Sequence, residues 1–173
     1  MGAVTTSYRA AADLTVTALH SLASSQTWVA GWTSGTIDNT SNNDLDKGIA
    51  AKFTLAASNN QAGELRVYAY SMLDDTNWAL NASAGTPGTE GALTILDTEQ
   101  RDSQLVLLWS TAVDNGASEV HYMPLTSVAR AFGFLPPKFA LFIAINPTTT
   151  TTAGLAASGN QVTVKGYTES VAA

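Results

Sequence analysis

The residues best suited to chemistry in this chain are its acids and amides. Three aspartates, three asparagines and an Asn-Thr-Ser sequon crowd into Thr36 to Gly48, TIDNTSNNDLDKG. An EF-hand-type calcium loop needs oxygen ligands at alternate positions, Gly at the sixth and Glu at the twelfth. Counted from Asp38, Asn43 stands at the sixth place and Ile49 at the twelfth, so that pattern fails. A looser calcium site from Asp38, Asp44 and Asp46 stays open. The sequon Asn39-Thr40-Ser41 matters only on a secretory route. The stretch equally suits a joint between strands, because Asp and Asn side chains hydrogen-bond nearby backbone and tolerate turn conformations.

Other acids could supply the facing carboxylates of a glycosidase. Asp74, Asp75, Asp97, Glu99, Asp102 and Asp114 all fall at expected strand ends or in loops, where solvated acids and turn formers also belong. The histidines are His20 and His121, with no HxH or HExxH spacing for zinc, and ordinary packing accounts for both. There is no G-x-S-x-G elbow, no Walker loop and no G-x-G-x-x-G. The expectation is a protein that is not an enzyme, with no catalytic residue, no cofactor and no firm metal ligand set.

Composition narrows the partners. The 173 residues fit one domain, and 45% hydrophobic residues suffice for a core. Only 13% are charged, about half the usual share, so Ser, Thr, Asn, Gly and Ala must cover much of the surface. The net charge is −6, with 14 acidic against 8 basic residues. The basic residues are scattered singly from Arg9 to Lys165, so no stripe for nucleic acid is expected. Cysteine is absent, which excludes disulfides and thiolate chemistry. No signal peptide is expected from the first residues, and apolar runs such as Phe139–Ile145 are too short to span a bilayer.

Strand patterns must position whatever these residues do. Asp13–Leu19 alternates, with Leu14, Val16 and Ala18 on one side. Thr27–Thr33 places Trp28 and Trp32 four apart, hence on one strand face. Ile49–Ala57 follows, then Glu64–Leu73, with Leu65, Val67 and Ala69 opposite Arg66, Tyr68 and Tyr70. Ser103–Val113 is almost continuously apolar and reads as a central strand covered on both faces. Ser118–Leu125, Lys138–Ile145 and Gln161–Glu169 complete about eight strands. Turns are expected at 58–63, 113–118 and 157–160. Leu125, Val128, Ala129 and Phe132 have helical spacing, stopped by Gly133 and by Pro136–Pro137. Residues 81–94 read as a long loop and 146–160 as low-complexity sequence.

These elements predict an all-β, two-sheet antiparallel sandwich, jelly-roll-like, with one short helix near residues 125–132. The Cys–Trp–Cys hallmark of an immunoglobulin sandwich is missing. Residues 13–170 form the sandwich domain and 1–12 an N-terminal arm. Val4 and Tyr8 are the arm's candidate anchors on a neighbouring subunit, a frayed terminus being the alternative. Among the tryptophans, Trp109 suits the core, and Trp78 is the best candidate for an exposed partner-contact or sugar-stacking ring.

An ordered set of motifs adds to this. A strand ends in Ser21-Leu22-Ala23-Ser24, a second strand leads to Ile37-Asp38-Asn39-Thr40, and an Asp precedes a new strand. LRVYAYSMLDDTNW and FGFLPPKFALFIAINPTT follow later. From Leu14 to Tyr167 this resembles small virion proteins encoded beside capsid genes in tailed bacteriophages. The resemblance implies a non-enzymatic capsid decoration or cement protein on the outer lattice of the head. Its implied partners are the major capsid protein and further copies of itself, a trimer favoured, with no nucleic acid and no membrane. The capsid surface is favoured over the tail. The alternative is a carbohydrate- or receptor-binding module of a phage tail or fibre, and a sandwich hydrolase is a third class.

Overall fold

The computed structural model describes residues 4–57, 62–114, 118–147 and 154–171. The turns expected at 58–63 and 113–118 and the stretch 146–160 fall partly outside these residues. The strands are β1 (Val4–Tyr8), β2 (Ala12–Asp13), β3 (Ala30–Thr33), β4 (Ile37–Asp38), β5 (Asp46–Thr54), β6 (Gly63–Ser71), β7 (Ala82–Ala84) and β8 (Gly91–Ile95), then β9 (Val106–Val113), β10 (Val120–Ser127), β11 (Lys138–Pro147) and β12 (Gln161–Val171). Helix α1 (Thr98–Gln104) precedes β9 and α2 (Val128–Phe132) follows β10.

All pairings are antiparallel and make two sheets. One has five strands in the order β1-β12-β5-β10, with β2 also on β12. The other has seven in the order β7-β8-β3-β11-β6-β9, with β4 also on β11. Set aside the short β2, β4 and the β7–β8 hairpin, and number the other strands in chain order. They then lie 1-8-3-6 in one sheet and 2-7-4-5 in the other, the strand order of a jelly roll. The expected all-β sandwich is the fold.

Period two explains the packing. Ile49, Ala51 and Phe53 of β5 and Val162 and Val164 of β12 face Leu65, Val67 and Ala69 of β6 and Phe139, Leu141 and Ile143 of β11 in one buried cluster. Each large apolar side chain so buried contributes about 1.5–3 kcal/mol. The opposite side of β6 and β11 carries Tyr68, Tyr70, Ala140, Phe142 and Ala144. These are buried beneath Leu80, Leu93, Ile95 and Leu105. Residues 72–105 therefore cover the outer face of β6 and β11, while among the described residues the outer face of the five-stranded sheet has no such cover.

Several local expectations need correction. The apolar run Val106–Val113 is an edge strand, not a central one, and Leu107 is 48% exposed. Its neighbours explain the pattern: Trp109 reaches in and stacks on Phe53 with ring centroids 6.0 Å apart. The strands covered on both faces are β11 and β6. Asp13–Leu19 is strand only at its start, after which Leu19 and His20 amides both bond to Val16 O in a turn. Leu14, Val16 and Ala18 still lean on the core, so the alternation there marked burial and not a strand. Trp28 and Trp32 do not share a strand face. Trp28 precedes β3 with a φ of 52° and packs on the outer layer, whereas Trp32 lies fully buried between the sheets.

The loop read at 81–94 contains β7 and most of β8. The helix near 125–132 starts later, at Val128, because Leu125 belongs to β10. Ser127 Oγ caps α2 by accepting from Arg130 N at 2.9 Å, and Gly133 ends it at a φ of 83°. The additional helix α1 is capped by Asp97, which accepts from Gln100 N at 2.7 Å.

Candidate functional site

The acid-rich stretch Thr36–Gly48 acts as a joint, and each aspartate has a separate task. Asp38 accepts from Thr40 N at 2.7 Å and Thr40 Oγ1 at 2.6 Å, closing a turn. Those bonds hold its carboxyl below the ordinary range. The Asn39 amide clasps the Asp44 backbone, donating to Asp44 O at 2.9 Å and accepting from Asp44 N at 3.0 Å. Asn39 is buried in that role, which leaves its sequon nitrogen committed.

Asp44 is the charged centre of the joint. Its carboxylate is fully buried, accepts from Lys47 Nζ at 2.7 Å and pairs with Arg9 Nε. Arg9 Nη2 also donates to Asn42 O at 2.7 Å. Burial pushes the Asp44 carboxyl up, but the hydrogen bonds and charges of Lys47 and Arg9 outweigh it, so the pKa lies below the usual carboxylate value. A Cβ on Gly166 would fall 2.3 Å from Asp44 Oδ2, so β12 must carry glycine where the carboxylate lies against it. Asp46 Oδ1 accepts from Lys47 N and from Ala129 N, both at 2.7 Å, and so fixes α2 to the sheet. The three carboxylates point to different partners. Among the described residues no three His, Asp or Glu side chains gather to hold a metal ion.

Three of the other candidate acids have local partners. Asp74 accepts from the amides of Thr76 at 2.7 Å and Asn77 at 2.6 Å, Asp97 caps α1, and Asp102 pairs with Arg101. Glu90, not singled out in the sequence, matters more for the architecture. Its Oε1 accepts from Ala18 N at 2.8 Å and Trp32 Nε1 at 2.9 Å. His20 Nδ1 lies 3.1 Å from Asn160 Nδ2, and His121 Nε2 lies 3.2 Å from Glu119 Oε2.

What remains is surface. The outward positions of the five-stranded sheet hold Tyr8 and Tyr122, each 68% exposed, Val4 at 64% and Leu125 at 59%. Tyr8 tilts against Tyr167 with centroids 6.2 Å apart, and Lys165 Nζ lies 5.3 Å from the Tyr8 ring. Leu125 lies across Gly48, where a Cβ would approach its Cδ1 to 2.7 Å. Tyr8, Lys165, Tyr167, Gly48 and Leu125, with Asp46 and Ser127, line a shallow depression of about 210 Å³. A second apolar spot, on the other sheet, is a cleft of about 250 Å³ lined by Leu73 and Phe134 among others.

Val4 and Tyr8 thus stand exposed on this face, on a strand that pairs with β12 of its own chain. Trp78 does not join them. It is half-buried in the outer layer, edge-on to Tyr70 with centroids 5.1 Å apart and closed over Gly88. Tyr122 and Leu125 were missed as surface residues. Alternation around the inward Met123 was the available signal for Tyr122, whereas an irregularity between Met123 and Thr126 breaks it for Leu125.

Fold and surface define a jelly-roll sandwich with one sheet face covered and one open. No family model matches the chain, and no curated protein matches it. A solved structure similar to it is "Crystal structure of infectious bursal disease virus VP2 subviral particle", at 14% identity and a TM-score of 0.21. The match covers 96% of this chain and 40% of that one, so this chain spans under half of that length. A likeness that slight carries no argument about fold or function. Among the described residues no helix is long and apolar enough to cross a membrane.

Proposed function

We propose that the protein is a non-enzymatic structural component of a virion, a decoration or cement protein bound to the outer capsid lattice. Its partners on this reading are the major capsid protein and further copies of itself, in a trimer. The motif resemblance from Leu14 to Tyr167 supplies the class. The observation that supports it is the open outer face of the five-stranded sheet, where Tyr8, Tyr122 and Leu125 stand exposed while the other sheet is covered. Exposed tyrosine and leucine on an open sheet face suit a protein partner. A lattice would multiply weak contacts into avidity.

Exposed Tyr8 and Tyr122 rings would also suit sugar stacking in a receptor-binding module of a tail or fibre. Mass spectrometry of purified virions and of separated heads and tails decides. The decoration reading expects the chain in heads at high copy number. Its absence from virions would refute the structural reading, and low copy in tails would favour the module.

A further inference from the structure

We infer that β1 is a self-association edge, which pairs antiparallel with β1 of a second copy about a two-fold axis at Thr6. The inference stands on the geometry of the strand and does not depend on the virion reading; a two-fold contact joins copies in pairs and is separate from the contact of a trimer.

β1 ends the five-stranded sheet, and among the described residues nothing pairs with its other side. All five of its residues, Val4-Thr5-Thr6-Ser7-Tyr8, are exposed. They carry no charge and no proline, the devices that ordinarily keep an edge strand from pairing with another chain. The flank that follows is different. Between the pairs Tyr8↔Tyr167 and Ala12↔Val164, three residues oppose two, so the edge is bulged beyond Tyr8. The pairable segment is therefore short and centred on Thr6.

The ladder fixes which groups are free. Arg9 N donates to Gly166 O at 2.9 Å, so in the alternation of an antiparallel pair Ser7 and Thr5 also turn their backbone groups to β12. Val4, Thr6 and Tyr8 turn theirs outward. In a register centred on Thr6, Thr6 faces Thr6 of the second copy, and Val4 faces its Tyr8. Every free N–H and C=O of the segment then meets a partner. The side-chain pairs are threonine with threonine and β-branched with aromatic, both favourable across strands. A register centred on Thr5 or Ser7 would pair fewer of these groups. The nearest like charge on the same face is Glu169, opposite Thr6 on β12. Three strand spacings would separate it from its twin, roughly 14 Å, beyond the screening length of about 8 Å at physiological salt. The second copy is thus matched in hydrogen bonds, side chains and charge.

The chain has no cysteine, so single thiols report the register. In the proposed pair the Thr6 Cα atoms lie about 5.5 Å apart, within disulfide range. Ser7 faces Thr5 of the second copy, so two Ser7 positions are out of reach. Under mild oxidation Thr6→Cys is expected to give a covalent dimer and Ser7→Cys to stay unlinked. Equal cross-linking, or none, would overturn the inference. Thr6→Pro removes an amide that points away from β12, so the fold should persist by circular dichroism. Sedimentation across a concentration series should show the pairwise association of the wild type lost in Thr6→Pro. A wild type that shows no self-association to millimolar concentration, or an assembly unchanged by Thr6→Pro, also overturns it.

Discussion

At the scale of single residues, Asp44 concentrates the most consequence. It is fully buried, yet two cations satisfy it, and one of them, Lys47, is itself 6% exposed. Removing one partner of such a pair leaves a buried charge, so Asp44→Asn is expected to cost about 3 kcal/mol in urea unfolding. The pH dependence follows from the sign of the shift. The folded carboxyl titrates below the unfolded one, so its stabilisation is complete above the ordinary carboxylate range and is lost as pH falls through the folded value. Urea midpoints between about pH 4 and pH 2 should fall less steeply for Asp44→Asn than for the wild type. Identical slopes would remove Asp44 from the account. Asp13, Asp38 and Asp74 are also held low by hydrogen bonds, so the variant keeps part of the acid sensitivity. Gly166→Ala drives a methyl against the same carboxylate and is expected to cost about 1–3 kcal/mol. Combined with Asp44→Ala, which removes the obstruction, the cost should be less than the sum, as a double-mutant cycle would read.

At the scale of elements, the segment between β6 and β9 does the least expected work. Trp78 pins it by closing over Tyr70 and Gly88, and the Tyr70 hydroxyl accepts from Gly88 N at 2.9 Å. Trp78→Ala should cost about 2 kcal/mol, the ring being half-buried. It should also raise amide exchange over β7 and β8 before β11 or β6. Uniform exchange would argue against a separately held layer. Asp97→Ala should cost about 1 kcal/mol, the usual loss of a helix cap, with the change confined to α1 and its neighbours. Parts of this were legible. Ile49–Thr54, Leu65–Tyr70 and Gln161–Glu169 alternate because each lies between core and outer side, and alternation reports that directly. Residues 106–113 misled because a run of apolar residues looks the same at an edge, where Leu107 meets solvent, as at a centre. The cap-like Asp97-Thr98-Glu99-Gln100 was a readable signal for α1. Nothing local marked Gly91–Ile95 as a strand, since its pairing with Ala30–Thr33 is set by tertiary contact. The joint role of Thr36–Gly48 was readable from its side chains, but its buried charge was not, because Arg9 comes from a segment just past β1, far off in sequence.

At the scale of the whole molecule, the two sheets differ in kind. Residues 72–105 cover one face, and the other presents tyrosine and leucine to solvent. Tyr122→Ala with Leu125→Ala should leave unfolding within about 0.5 kcal/mol of the wild type, as exposed substitutions do. It should weaken attachment to capsids in a pelleting assay. Unimpaired attachment would move the partner surface elsewhere, with the Leu73–Phe134 cleft the next to test. The pairing of Val4 with Val171 and of Tyr8 with Tyr167 has a mechanical consequence. Tension applied between residues 4 and 171 pulls across the ladder and not along it. The strands would peel one hydrogen bond at a time, at low force, where a load parallel to the strands would have to break several together. Peeling reaches Arg9 just past Tyr8, and there its ion pair with the buried Asp44 takes the load. The sandwich would thus yield at its rim under stretch and hold at that clamp, keeping its core closed.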